Sequence, residues 1–201
     1  AGGTETGASW ATAFSSIQDG IEAAYAAGGD QVWVAGGTYS EKLLLKSGVA
    51  LFGGFNATET ALAQRSIASN PTIVDGSQAN AGSAADHVVV INSVSNARVD
   101  GFTITGGVAT TGLSVPGYGT LGAGGGIYCI NAGNTNVIAR CRVMGNRAGA
   151  GGAGIFCDSA SPYIVNCEIN GNSATNVYAV PTGGGGLCMI EGSSPYVANT
   201  V

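Results

Sequence analysis

The sequence predicts an all-β fold, a right-handed parallel β-helix (solenoid) with an N-terminal amphipathic capping helix. Three observations predict it. First, one unit recurs: 125–146 (GGIYCINAGNTNVIARCRVMGN), 153–172 (AGIFCDSASPYIVNCEINGN) and 185–201 (GGLCMIEGSSPYVANTV) align, and 88–107 (VVVINSVSNARVDGFTITGG) is a degenerate copy, which is enough repetition for a solenoid. Second, apolar and polar residues alternate within each copy, as in strands buried on one face. Third, 35 glycines and a charged fraction of 9% favour tight turns and close backbone stacking over packed helices.

The chain is expected to be a single β-helix domain over 1–201, in three parts: an N-terminal cap (1–30), first coils (31–107) and Gly-rich repeat coils (108–201). In the cap, Thr12 is placed to start a helix over about 12–27 that carries Phe14, Ile17, Ile21 and Ala24 on one face, and Gly28-Gly29 stops it. That apolar stripe needs a partner surface, which strands at 31–35 (QVWVA), 41–46 (EKLLLK) and 49–52 (VALF) would supply. A polar excursion at 56–70 follows, and 71–76 (PTIVDG) resumes the strand pattern.

Alternation assigns the faces of the repeats. Val99, Ile138, Ile164 and Val197 fall in one inward column, Phe102, Cys141, Cys167 and Thr200 in a second, and Ile104, Val143 and Ile169 in a third. Arg140, Arg142, Val165 and Glu168 point outward. No strand of such a unit buries its apolar face alone, so the coils are expected to stack about 4.8 Å apart. Two insertions, 108–122 and 173–183, leave the solenoid at the same corner.

Charge narrows the partners. A net charge of −5, with seven scattered Lys/Arg, offers no footprint for nucleic acid, and no apolar run reaches the roughly 20 residues of a membrane span. Low charge with abundant Gly, Ser, Thr, Asn and Ala fits an extracellular or cell-surface bacterial protein. No cofactor, metal site or catalytic set is expected. A lyase or epimerase needs a base, and often calcium held by clustered carboxylates, whereas Asp100 and Asp158 look isolated, Asp75 and Asp86 fall near turns, and His87 reads as a strand-edge residue.

The remaining candidates are placed by the repeat. Cys129 and Cys157 share one inward column, continued by Met189, and Cys141 and Cys167 share another; the spacing permits a disulfide, and a stack of buried thiols is the plainer reading. Cys188, one place off its column, is expected to be exposed. Asn146 and Asn172 recur at one corner as a structural ladder. For ligand binding the sequence offers Tyr118 and Tyr178, one in each insertion, and outward Arg140 and Arg142 on one strand, with Glu168 on the next coil at the position of Arg142. Asn56-Ala57-Thr58 matches a glycosylation acceptor.

The stretches 9–14 (SWATAF), 30–39 (DQVWVAGGTY) and 51–55 (LFGGF) resemble the opening of bacterial right-handed parallel β-helix repeat proteins of the pectin-lyase-like fold. Gly-Gly-Gly-Ile-Tyr (124–128) and 161–172 (SPYIVNCEINGN) are similar to that family and to the repeats of polymorphic outer-membrane proteins. The resemblance implies the fold and leaves activity open, since such proteins include polysaccharide lyases, epimerases, hydrolases and adhesins. It departs in length: the last repeat stops at Thr200-Val201, mid-strand by comparison with Cys167-Glu168. The expectation is therefore a surface structural or interaction module, self-assembling end to end through an edge bearing Pro195, Val197, Thr200 and Val201. The alternatives are a polysaccharide-active enzyme (lyase, epimerase or hydrolase) or its fragment, and a non-catalytic polysaccharide-binding module. Partners would be copies of itself, other surface proteins or a polysaccharide.

Overall fold

The computed structural model describes residues 5–109, 113–115, 119–175 and 184–201, and only the backbone of 113–115 and 119–121. Among the described residues the chain is mostly β, with parallel sheets and one α-helix, Ile17–Ala26. A six-stranded first sheet runs, in spatial order, Gln31–Ala35, Ala50–Phe55, Arg98–Asp100, Val137–Ala139, Tyr163–Val165 and Tyr196–Ala198. The second has five strands: Gly37–Tyr39, Thr72–Asp75, Phe102–Thr105, Arg142–Met144 and Glu168–Asn170. The third also has five: Leu43–Leu44, Val89–Asn92, Ile127–Ile130, Ile155–Asp158 and Leu187–Ile190. Val108–Ala109, Arg147–Ala148 and Ser173–Ala174 form a short fourth sheet, from which both insertions depart, and Leu113–Val115 pairs antiparallel with Gly119–Leu121.

From Val108 onward the chain visits the fourth, third, first and second sheets in that order on every pass. Strands one repeat apart therefore pair in register. Val99, Ile138, Ile164 and Val197 are opposite one another, as are Ile104, Val143 and Ile169. One apolar cluster takes Ile17 and Ile21 from the helix, Leu51 and Ile138 from the first sheet, Val74 and Ile104 from the second, and Leu43 and Ile127 from the third.

Single left-handed residues turn the chain between sheets. Ser93, Asn131, Ser159 and Glu191 follow the third-sheet strands with φ from 49° to 52°, and Gly101, Arg140, Asn166 and Asn199 separate the first sheet from the second with φ of 85°, 50°, 55° and 49°. Gly and Asn tolerate this region; for other side chains it costs on the order of 1 kcal/mol. Arg140 holds such a position, so Arg140 and Arg142 stand on either side of a corner and not on one strand.

The helix is shorter than its sequence pattern. Trp10–Thr12 forms a separate 3₁₀ turn, and the cap is Ser16, whose Oγ accepts from Asp19 N at 3.3 Å. Glu41 decides the start, its carboxylate accepting from Ile17 N and Gln18 N at 2.9 and 3.0 Å, two of the donors that a helix N-terminus leaves unpaired. The strand expected over 41–46 shrinks to Leu43–Leu44. Gln18 pairs with its outer edge: Oε1 accepts from Leu44 N at 2.8 Å and Nε2 donates to Leu44 O at 3.3 Å.

Two strands of the third sheet, Ile127–Ile130 and Ile155–Asp158, are buried on both faces. Opposite the main core, Tyr128, Phe156 and Cys188 stand in register and pack with Ala123. Cys188 is 3% exposed, against the expectation of an exposed thiol. Glycine-rich segments cover this face so closely that a side chain at Gly152 would collide with Cys188 Cβ. His87 is more than a strand-edge residue: its ring stacks on Tyr128 at 4.6 Å, and Nδ1 lies 3.0 Å from the Gly124 carbonyl and donates to it.

Two predictions follow from this packing. A methyl group at Gly107 would run into the Gly125 carbonyl oxygen, whereas one at Gly133 meets nothing. Gly107→Ala is expected to destabilise the fold by more than about 2 kcal/mol and Gly133→Ala to stay within about 0.5 kcal/mol, by urea unfolding. Burial, outweighing the bond to Gly124, holds His87 below its ordinary pKa of 6.5. The unfolded chain then takes up a proton that the folded one refuses, so this contribution to stability is present above about pH 6.5 and lost as pH falls. His87→Phe, which keeps the stack, is expected to flatten the stability profile below pH 6.5.

Candidate functional site

Alternation along the first sheet sends every second side chain outward, and pairing in register lines them up across six strands. One outward column is Gln31, Ala50, Arg98, Val137, Tyr163 and Tyr196; the other is Trp33, Phe52, Asp100, Ala139, Val165 and Ala198. Three arginines converge on Asp100, which is 0% exposed. Arg98 donates to Oδ2 through Nε and Nη2 at 2.8 and 2.6 Å. Arg140, one strand on, donates Nε to Oδ1 at 2.9 Å and Nη2 to Oδ2 at 2.8 Å. Arg65 arrives from the 56–70 excursion, with Nη2 2.7 Å from Oδ1 and Nη1 on the Gly53 and Asp100 carbonyls at 3.1 and 3.2 Å.

Burial alone would push the Asp100 pKa up; the hydrogen bonds from Arg140, Arg65 and Arg98 more than offset it and hold the carboxyl below its usual value. Arg65 and Arg98 also lie over the Phe52 ring, 4.9 and 5.8 Å from its centroid. Three guanidinium groups against one carboxylate leave two positive charges in excess, on a protein whose net charge is −5. Arg140 is 48% exposed, and Asp100 uses only its Nε and Nη2, so N–H groups face the solvent.

Along the same face Tyr163 and Tyr196 are 40% and 58% exposed, with ring centroids 5.4 Å apart and planes tilted by 53°. Val137 stands between Arg98 and Tyr163 in the outward column. At the opposite margin Trp33 stacks on Phe55 at 4.7 Å and lines, with Trp10 and Tyr39, a cleft of about 980 Å³ beside the helix. Cation donors and ring faces on a rigid sheet can hold a planar or sugar-like ligand with anionic groups.

The sequence candidates are distributed differently. Arg142 and Glu168 meet on the outer face of the second sheet, Nε to Oε2 at 2.8 Å, away from Arg140. Tyr118 and Tyr178 lie outside the described residues. Asn146 and Asn172 stack: Asn146 Nδ2 donates to Ile104 O and Asn172 Oδ1, both at 3.0 Å, and Asn172 Nδ2 to Val143 O at 2.8 Å. Cys129 pairs in register with Cys157, and Cys141 adjoins Cys167, all four buried. At the margin of the first sheet, Val197 is exposed, Pro195 and Thr200 are half-buried, and Val201 is exposed but exchanges backbone bonds with Cys167 O and Ile169 N. Asp100, which looks isolated in an aligned repeat, is the most heavily paired carboxylate among the described residues. The alternation that put Arg98, Asp100, Tyr163 and Tyr196 on one face was the available signal; Arg65 gave none. In the Asn56-Ala57-Thr58 turn, Thr58 Oγ1 donates to Asn56 Oδ1.

No protein-family model matches the chain, and no curated protein matches it. Among solved structures it is similar to a "putative glycosyl hydrolase" from Parabacteroides merdae, at 13% sequence identity and a TM-score of 0.51, over 92% of this chain and 86% of that one. The likeness is one of fold.

Removing the central carboxylate leaves three cations facing one another, one of them buried. Asp100→Ala is expected to cost about 3–5 kcal/mol in chemical unfolding, and Arg140→Ala, which solvent screens, about 1 kcal/mol or less. Because the Asp100 pKa is depressed, its contribution is present above its ordinary value of 3.8 and lost as pH falls further; Asp100→Asn is expected to show a shallower acid loss than the parent.

Proposed function

We propose that this protein is a right-handed parallel β-helix that binds an acidic polysaccharide along the outer face of its six-stranded sheet. The handedness follows from the strong preference of parallel crossovers for the right-handed path. The observation that carries the reading is the exposed Tyr163 and Tyr196 pair beside arginines that outnumber their carboxylate by two. Tyrosine faces stack on sugar rings, and arginine forks match carboxylate or sulfate groups on a glycan. Binding in an extracellular or cell-surface setting is the role proposed. The name of the similarly folded Parabacteroides merdae protein is in keeping with a carbohydrate ligand. A second reading, a surface structural module that associates with copies of itself, draws on the exposed Met189, Tyr196 and Val197; concentration-dependent oligomers in light scattering, abolished by Tyr196→Ser, would favour it.

The test is calorimetric titration with soluble acidic and neutral polysaccharides. Acidic chains are expected to bind more tightly, and the exposed double variant Tyr163→Ala/Tyr196→Ala to lose roughly tenfold or more in affinity with melting unchanged. Equal affinity of parent and double variant would remove the proposed face. Reducing ends measured in the same mixtures would reveal turnover.

A further inference from the structure

We propose that the cleft beside the helix is a second binding site, for an organic cation whose charge sits on an alkylated nitrogen, as in a quaternary ammonium group. The cleft, about 980 Å³, lies between the Ile17–Ala26 helix, the Gln31–Ala35 strand and the chain around Glu59. That volume is in the range of small-molecule sites. The proposal does not rest on the arginine and tyrosine face, which suits a ligand of the opposite charge.

The rings of the cleft are held so that they offer faces. Trp10 Nε1 donates to Glu59 O at 3.0 Å and Trp33 Nε1 to Gln31 Oε1 at 2.9 Å, so neither indole keeps an N–H for a ligand. Trp33 lies nearly parallel to the buried Phe55 ring, and Trp10 tilts against both, its centroid 6.4 Å from Trp33 and 5.6 Å from Phe55. Three packed rings with both indole nitrogens pinned make a preorganised wall. An aromatic face carries the negative side of the ring quadrupole, and tryptophan attracts cations most strongly.

The polar groups select the same charge. Among the described residues lining the cleft, the charged ones are Asp30 and Glu59, with no Lys, Arg or His. The side-chain donors are nearly all spent. The hydroxyls of Thr6, Ser16, Tyr39 and Thr60 donate to Thr12 Oγ1, Glu41 Oε2, Ala35 O and Gln64 Oε1, Ser9 Oγ is bonded to Thr12 Oγ1 at 3.1 Å, and only Gln31 Nε2 is left. Acceptors remain. Asp30, exposed at the rim, uses Oδ1 for Gln31 N at 2.7 Å and keeps Oδ2, while Asn56 N and Thr58 N fix the Glu59 carboxylate in place. A neutral sugar or an anion entering here finds one amide to donate to it. A cation that makes no hydrogen bonds of its own meets ring faces and carboxylates, and strands no buried donor.

Trp10 and Trp33 are the two tryptophans of the chain, so intrinsic fluorescence reads the cleft directly. The experiment titrates the parent protein with choline and with 3,3-dimethylbutan-1-ol, its uncharged isostere, at constant ionic strength. Choline is expected to shift the emission saturably and to bind roughly tenfold or more tightly than the alcohol. Asp30→Asn, an exposed change that keeps Oδ1, is expected to weaken choline roughly threefold with melting unchanged, and Tyr163→Ala/Tyr196→Ala to leave choline binding as it is. Equal binding of choline and the alcohol, no saturable response to choline, or tighter binding of glucose than of choline overturns the proposal on the parent protein alone.

Discussion

A parallel strand that pairs with its counterpart one repeat later turns sequence position into place. Because each register holds residue by residue, every side chain inherits as neighbours the residues one repeat before and after it. The backbone sets the spacing, and the side chains sort themselves into apolar columns, amide ladders or charged clusters. The glycines at 107 and 125 show how tight the constraint is, since a single methyl group there has nowhere to go. The left-handed corners are its second half: passes of unequal length turn at matched points, after each third-sheet strand and between the first sheet and the second, so that register survives from one sheet to the next.

The inward columns were legible because they depend on period alone. Val99, Ile138 and Ile164 could be aligned from their spacing, and the structure sets them opposite one another. What resisted reading was whatever crosses between columns or comes from outside the repeat. Arg65 reaches Asp100 from 35 residues away in an excursion with no periodic signal, and Arg140 swings back only because its φ is positive. Thr12 resembles a helix cap by composition, but a carboxylate from Glu41 outweighs local preference and starts the helix at Ile17. Cys188 looked exposed because alternation names two faces and does not say that glycine-rich backbone will cover the second.

Charge follows the same logic. Asp100 could be buried only because three cations accompany it, and holding those cations on a flat outer face makes a local positive field on an acidic protein. The arrangement that stabilises the sheet is thus the one that gives its surface a preference. Tyr163 and Tyr196 extend that surface without adding charge.

Gln18 carries a consequence of another kind. Its side-chain amide offers Leu44 the same donor and acceptor that a neighbouring strand would, so the helix impersonates one peptide unit of the missing partner. An incoming strand would have to evict it before gaining a single backbone bond there. That edge of the third sheet is sealed against templating, and the molecule is spared one route by which parallel sheets recruit strangers.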